Sequence, residues 1–265
     1  MPELLEVEVY RRLADRVVGR TIRSIEAPDD WFLKGGLTSG DLRDALDGAT
    51  VVATGRIGKL LLVDVGAERP TLGLRFGMTG RLVLDDEAPV AHLEYASRRD
   101  DAAWDRFALG FTNGSRLRLS DSRRLGGIEL DPDVNRLGPD VWTLTVAQLR
   151  RALLGSSAPL KARLLDQSKV AGLGNLLVDE ALWRAGLDPA RPARGLSDTE
   201  VRRLARHVRA TVALLFERGG SHTGDLHVQR VRGGHCPKDG VELARRTIGG
   251  RTTYSCPRHQ LTPAP

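Results

Sequence analysis

The second residue of this 265-residue chain is Pro2, and Glu3 and Glu6 follow closely. A small residue after Met1 favours removal of the initiator methionine, which would leave Pro2 with a free secondary amine. An α-amino group titrates at about 7.7–8.0, well below lysine, so a useful fraction is neutral and nucleophilic near neutral pH. Such an amine can attack a sugar C1′, form an iminium and so drive elimination at the sugar. Glu3 or Glu6 could protonate the opening sugar ring or shuttle protons. The same residues also read more simply as an acidic start to a helix, favourable to its macrodipole. At the other end of the chain stand its two cysteines, Cys236 and Cys256. They are too few for a disulfide framework, and one isolated bridge does not suit a reducing cytosol. Their surroundings suggest a metal-holding hairpin instead.

The elements that must position these residues follow from periodicity. Apolar residues among charges over 6–18 predict an N-terminal helix. Short strands are predicted over 21–27, 50–57, 59–65, 71–76, 81–84, 104–112 and 115–120, with the hairpin dipeptide Asn113-Gly114 between the last two. This first half suits a two-sheet sandwich or barrel. Two prolines, a glycine and three Asp residues make 131–145 a linker. Helices are then predicted over 145–154, 159–168, 175–185 and 197–218, with Ser197 and Glu200 forming a capping box. Beyond Gly219 the chain becomes Gly-rich and then strand-like around both cysteines. The expected class is α+β: a catalytic β-sandwich domain over 1–130, the linker over 131–145, a helical domain over 146–225 and a β-hairpin over 226–265.

Charge is divided unevenly between the halves. Residues 1–145 carry 20 Lys/Arg and 24 Asp/Glu, a net of −4, whereas residues 146–265 carry 20 and 10, a net of +10. A basic half suits a polyanion, since phosphate neutralisation dominates nucleic-acid affinity, although a solvated basic face has the same composition. No apolar run approaches the roughly 20 residues that span a bilayer, and the acidic N-terminus is wrong for a secretory signal. The expected protein is cytoplasmic, without a membrane partner. Charge, periodicity and the cysteines alone reach a two-domain nucleic-acid-binding protein with a metal hairpin.

Six segments add more. MPELLEVE at the N-terminus, RIGKLLL at 56–62, GMTGRL at 77–82, SDSRRLGG at 120–127, LLDQSKVAGLGNLLVDEALWRAGLDP at 164–189 and GGRTTYSCPRHQ at 249–260 resemble, in order, the formamidopyrimidine-DNA glycosylase/endonuclease VIII family of bacterial repair enzymes. The resemblance spans both expected domains and implies a role for each matching position. Pro2 would be the nucleophile and Glu3 the general acid/base, with Glu6 in support. Lys59, on a turn after Gly58, would contact a phosphate beside the lesion. Met78 would enter the gap left by an everted nucleotide, and Arg123 and Leu125 would wedge beside the orphaned base; ordinary core packing is the alternative for Met78 and Leu125. Residues 164–189 would be the helix–two-turns–helix element, whose glycines and Asn175 present donors to a phosphate. Lys161 and Lys169 would lie near the DNA backbone or simply be solvated. Arg251 would reach the lesion phosphates from the tip of a zinc-finger hairpin. The family's finger has four cysteines spaced CxxC…CxxC; here Cys236-Pro-Lys-Asp239 and Cys256-Pro-Arg-His259 keep the spacing with two ligands changed. One structural zinc on Cys236, Asp239, Cys256 and His259 is expected.

Three positions depart from the family pattern. Leu5 replaces a proline that would restrict the backbone carrying Glu3 and Glu6. Leu125 stands where an aromatic wedge is common. Few residues separate Ser221 from Cys236, leaving no room for a long loop over an oxidised purine. The expected activity is a glycosylase/AP lyase with β/δ-elimination on damaged double-stranded DNA, acting on oxidised pyrimidines, ring-opened purines or abasic sites rather than 8-oxoguanine. An AP lyase without base excision and a non-catalytic damage-binding protein are the alternatives. A nucleoid-associated bacterial monomer is the simple expectation.

Overall fold

The computed structural model describes residues 2–90, 93 and 99–261. It divides into two compact units, Met1–Val134 and Asn135–Pro265, of mixed α+β architecture.

The first unit opens with helix α1 (Leu4–Asp15), which starts where the Glu6 carboxylate accepts the Glu3 backbone N–H at 2.8 Å. Its apolar positions Leu4, Leu5, Val7, Tyr10, Leu13 and Ala14 form the buried face. Strand β1 (Ile22–Glu26) and helix α2 (Ser39–Leu46) follow, then β2 (Ala53–Ile57), β3 (Leu60–Asp64), β4 (Leu72–Arg75), β5 (Arg81–Leu84), β6 (Asp105–Phe111), β7 (Arg116–Ser120) and β8 (Gly127–Leu130). Two antiparallel four-stranded sheets result, ordered β1-β6-β7-β5 and β2-β3-β4-β8. One apolar core joins α1, α2 and both sheets, with Phe32, Leu61, Leu74, Phe107 and Leu119 among its members. The seven predicted strands are present, one over 81–84 with its predicted bounds and the others trimmed by a residue or more at one or both ends, and Gly114 takes the positive φ of +86° that the β6–β7 hairpin needs. Two elements were not anticipated. Helix α2 hides in a Gly- and Ser-containing stretch, where Thr38 and Asp41 close a reciprocal capping box. Strand β8 lies between the last predicted strand and the predicted linker, where no element was expected.

The second unit holds α3 (Val146–Leu153), α4 (Leu160–Leu165), α5 (Asn175–Ala185) and α6 (Asp198–Glu217), then the hairpin of β9 (Ala244–Ile248) and β10 (Arg251–Ser255). Helix α5 has the predicted bounds because Gly186 ends it in the left-handed region, φ +64°, with its N–H returned to the last turn. The Ser197–Glu200 capping box starts α6. Helix α4 is shorter than predicted, because Asp166 turns to accept the Ser168 N–H at 2.9 Å instead of continuing the helix. A small second core gathers Trp183, Leu226, Cys236, Leu243, Tyr254 and Cys256 under the hairpin. Among the described residues no helix is long and apolar enough to cross a membrane.

Candidate catalytic and nucleic-acid-binding sites

Pro2, Glu3 and Glu6 come together in and just before the first turn of α1. All three are buried, Glu3 and Glu6 to within a few per cent. Met1 lies outside the described residues. Leu5, expected to loosen this segment, is wholly buried within the helix; packing and helix geometry restrict its backbone where a proline would have done so by its ring. The helix is tied to the Lys59 turn by Arg56, whose side chain reaches Glu8 of α1 at 3.4 Å and the Gly58 carbonyl at 2.8 Å. Burial raises the Glu8 carboxyl, but hydrogen bonds from Arg11 and Arg12 outweigh it and hold the group below its ordinary value. It therefore stays charged as the anchor of this arginine cluster. Gly58 takes φ +56°, and Lys59 beside it is half-buried.

A second tie runs from α1 to the turn between β4 and β5. The Tyr10 hydroxyl donates to the Gly80 carbonyl at 3.2 Å, and its ring packs on Phe76 with centroids 4.6 Å apart. Burial pushes the Tyr10 phenol far above its usual range, so it remains a neutral donor. Met78 sits half-buried on this turn. Arg123 and Leu125 stand exposed on the neighbouring loop after β7, with Leu125 52% exposed. Leu125 thus lies outside the core, and neither it nor Met78 is among the core residues.

One residue that sequence reasoning passed over organises this surface. Asp121 is 0% exposed, and its carboxylate accepts the backbone N–H groups of Arg123 at 3.1 Å, Leu125 at 2.9 Å and Gly126 at 2.8 Å. It also accepts the Thr79 hydroxyl across from the Met78 turn. Its partners are backbone amides and a distant threonine, so no local spacing marks it; the only sequence signal was its place in SDSRRLGG.

In the second unit, Asn175 opens α5 after Gly172, whose φ is +112°. The Gln167 side chain holds the turn, accepting the Gly172 N–H at 2.9 Å and donating to the Leu165 and Leu173 carbonyls. The Asn175 Oδ1 is buried with no hydrogen-bond partner among the described residues. Arg251 is exposed at the start of β10, after the Gly249-Gly250 turn with φ of +58° and +71°. A Cβ on Gly249 would press on Ala162 of α4, so the tip rests against that helix.

Lys161 is not a surface residue. It is wholly buried, with its ammonium 2.6 Å from Asp179 Oδ1 and 3.1 Å from the Thr252 carbonyl of β10. Asp179 also faces Arg230 at 3.1 Å. Burial pushes the Asp179 carboxyl up, against the pull of both cations. The expected contact of Lys161 with DNA backbone gives way to an internal tie between α4, α5 and the hairpin. Lys169 is half-buried on the turn before α5.

Cys236, Asp239, Cys256 and His259 converge, with one ligand atom from each within 4.8 Å of the others. The Asp239 Oδ2 lies 3.1 Å from both Cys256 Sγ and His259 Nδ1, and Cys236 Sγ lies 3.7 Å from Nδ1. A tetrahedral zinc with bonds of about 2.0–2.3 Å would set its ligands roughly 3.3–3.8 Å apart, so the cluster needs little movement. The His259 ring is oriented by its other nitrogen: Nε2 lies 3.2 Å from the Trp183 carbonyl, which would hold the ring proton once a metal took Nδ1. The Trp183 indole N–H donates to Cys236 Sγ at 3.3 Å. Burial pushes the Cys256 thiol up to about 11. Burial also raises Asp239, yet hydrogen bonds from Cys256 and His259 hold its carboxyl far below the usual range. These four side chains can hold a metal ion.

Known proteins align with this arrangement along nearly its whole length. Residues 1–128 match the family described as formamidopyrimidine-DNA glycosylase N-terminal domain, and residues 137–226 match the formamidopyrimidine-DNA glycosylase H2TH domain. The formamidopyrimidine-DNA glycosylase of Paracoccus denitrificans is 37% identical, the alignment covering 97% of this chain and 99% of that protein. That of Heliobacterium modesticaldum is 36% identical over 98% and 100%. Among solved structures, the Lactococcus lactis enzyme bound to an abasic-site DNA superposes with a TM-score of 0.81 at 28% identity, covering 98% of this chain and 100% of that one. A complex of the same enzyme with a THF-containing DNA and an inhibitor gives 0.82 at the same identity and coverage.

Proposed function

This chain belongs to the formamidopyrimidine-DNA glycosylase family and is a base-excision DNA glycosylase with the family's AP lyase activity; from that premise we propose that Pro2 is its nucleophile. The observation that carries the reading is the first turn of α1, which holds Pro2, Glu3 and Glu6 together away from bulk water. With Met1 removed, the Pro2 amine attacks C1′ of the damaged nucleotide. The C1′–N bond breaks, and the base leaves with that electron pair and takes up a proton. The amine sheds its proton and the C1′–O4′ bond then breaks, O4′ taking up a proton; the resulting iminium has no N–H to lose, so its positive charge persists as an electron sink. Loss of a C2′ proton then expels the 3′ phosphate, and a second elimination expels the 5′ phosphate. Glu3 moves the protons at the sugar, and Glu6 fixes the Glu3 backbone through its hydrogen bond.

Lys59, Asn175 and Arg251 bind backbone phosphates of damaged double-stranded DNA. The place of Asn175 at the N-terminus of α5 supports its part, because backbone N–H groups at a helix start favour a phosphate. Met78, Arg123 and Leu125 fill the space of the everted nucleotide, each being outside the core. The cluster of Cys236, Asp239, Cys256 and His259 holds one structural zinc, supported by the ring orientation of His259 and the spacing of the four donors. The chain works as a monomer in the bacterial cytoplasm, at the nucleoid.

The preferred lesions are oxidised pyrimidines, ring-opened purines and abasic sites. In support, the segment after α6 is short and pinned, with the Asp225 and Leu226 N–H groups bound to Glu180 of α5 at 3.1 and 2.9 Å. With few residues between Ser221 and Cys236, it is too short to form a long loop over an everted 8-oxoguanine. A panel of duplexes, each with one of these lesions, tests this. Single-turnover release of 8-oxoguanine as fast as that of a ring-opened purine would overturn it. Cleavage of abasic DNA alone would instead establish the lyase without base excision.

A further inference from the structure

We infer that Asp121 and Thr79 are positioning residues that couple the Met78 turn to the Arg123–Leu125 loop, so that the three side chains enter the duplex as one preformed unit. The inference rests on the reading above of Met78, Arg123 and Leu125 as the residues that replace the everted nucleotide.

The coupling is physical at three levels. First, Asp121 is wholly buried, and both its carboxylate oxygens are committed: one to the Thr79 hydroxyl and the Arg123 N–H, the other to the N–H groups of Leu125 and Gly126. Four donors on one buried acceptor fix a loop that has no regular secondary structure. Second, Thr79 stands one residue after Met78, and its oxygen lies 3.3 Å from the Arg123 N–H as well. A single hydroxyl therefore bridges the two segments. Third, the segments touch through their backbones. A Cβ on Gly77 would collide with the main chain of Leu125 and Gly126, and one on Gly126 would collide with the Arg75 carbonyl and Phe32. The outer edge of the loop is pinned by Arg124, at φ +55°, whose guanidinium donates to Asp29 at 2.7 and 2.5 Å.

Such an arrangement fixes the backbone that carries these side chains while leaving Arg123 and Leu125 exposed. Filling a vacated base stack costs ordering entropy for each mobile group. A carboxylate that orders the backbone beforehand removes that cost from the extrusion step, the general advantage of preorganisation. An aliphatic Leu125 in place of a broad aromatic wedge makes that advantage matter more, because it has less stacking surface to offset disorder.

The test is a double-mutant cycle of Thr79→Val and Leu125→Ala, read by single-turnover excision of a ring-opened purine well below the melting temperature. Thr79→Val deletes the bridging hydroxyl at nearly constant volume and should slow excision about tenfold, the size expected when a buried hydrogen-bond partner is lost. Thr79→Ser keeps the hydroxyl and should restore the rate. The double variant should be little slower than the slower single one, because an uncoupled loop has already lost the benefit of Leu125. Fully additive effects, or Thr79→Ser as slow as Thr79→Val, would overturn the coupling and leave Thr79 a purely structural residue. Leu125→Ala and Met78→Ala both excising at the parental rate would instead sink the reading on which the inference rests. Melting temperatures of all variants identify any loss that comes from unfolding.

Discussion

The two units of this chain each order a loop or hairpin around a buried aspartate, and they satisfy its charge in opposite ways. Asp121 in the first unit is surrounded by neutral donors: three backbone N–H groups and the Thr79 hydroxyl. Asp179 in the second is met by two cations, Lys161 and Arg230, and by the Tyr254 N–H at 3.4 Å. The neutral arrangement shapes one short loop down to individual amides. The ionic one joins separate elements, since its partners lie on α4, on the segment after α6 and on the hairpin. A loop proposed to present Arg123 and Leu125 to a duplex needs its backbone defined residue by residue. A hairpin that carries an arginine at its tip needs only to be held in place as a body.

The difference predicts different consequences of removing each carboxylate. Asp179→Asn should be the most destabilising change, because it leaves two buried cations without their anion, a loss of about 3–5 kcal/mol. Adding Lys161→Met to it should recover part of that loss, since one of the stranded charges goes with it. Chemical denaturation of the single and double variants checks this; a double variant less stable than Asp179→Asn alone would contradict the ionic account. Asp121→Asn replaces one acceptor by a donor facing N–H groups, and should cost about 1–3 kcal/mol. Its excision rate should nevertheless fall further than that of an Asp179→Asn protein measured below its melting temperature.

Metal removal sharpens the same contrast. If the cluster holds a structural zinc as proposed, chelation should lower the melting temperature and weaken binding to abasic DNA, while leaving covalent trapping at saturating DNA in place. Addition of Co²⁺ to the metal-free protein should give the visible absorption of tetrahedral thiolate coordination, and Cys256→Ser should diminish it. An apo-protein with unchanged melting temperature and DNA affinity would remove the cluster from the account.

The smallest expected effect concerns the start of α6. Burial raises the Glu200 carboxyl from 4.5, but hydrogen bonds from Arg191 and Ser197 outweigh it and bring the group down to about 2. A carboxylate depressed in the folded state stabilises fully above its unfolded value and loses that contribution as the pH falls through the folded one. Between about pH 4.5 and 2 the parent should therefore lose stability faster than a Glu200→Gln variant. Parallel slopes over that range would mean that the Arg191–Glu200 pair contributes nothing.

What was legible in the sequence were features whose partners are local. The hairpin cluster of Cys236, Asp239, Cys256 and His259 was legible through its resemblance to a CxxC…CxxC finger, in which each pair lies three residues apart. Helix α5 was legible to the residue because glycines bracket it. The two-sheet fold followed from alternating apolar residues between turn signals. Features whose partners are remote were not legible. Lys161 was placed near DNA because nothing in its neighbourhood announces Asp179 or Arg230. Asp121 passed unnoticed because backbone amides carry no sequence identity and Thr79 is far along the chain. Strand β8 and helix α2 were missed because their glycines and serines suit turns equally well, and only packing on the core decides between the two.

The central claim is that the amine of Pro2 attacks the damaged sugar. Borohydride trapping on a duplex with one abasic site, using the mature protein beside a Pro2→Gly variant, tests it most directly. The account predicts a covalent protein–DNA adduct that the variant forms poorly while still binding the duplex. An adduct that peptide mapping places on any residue other than the N-terminal one would assign the nucleophile to another amine, and no adduct with binding intact would make this chain a damage-binding protein.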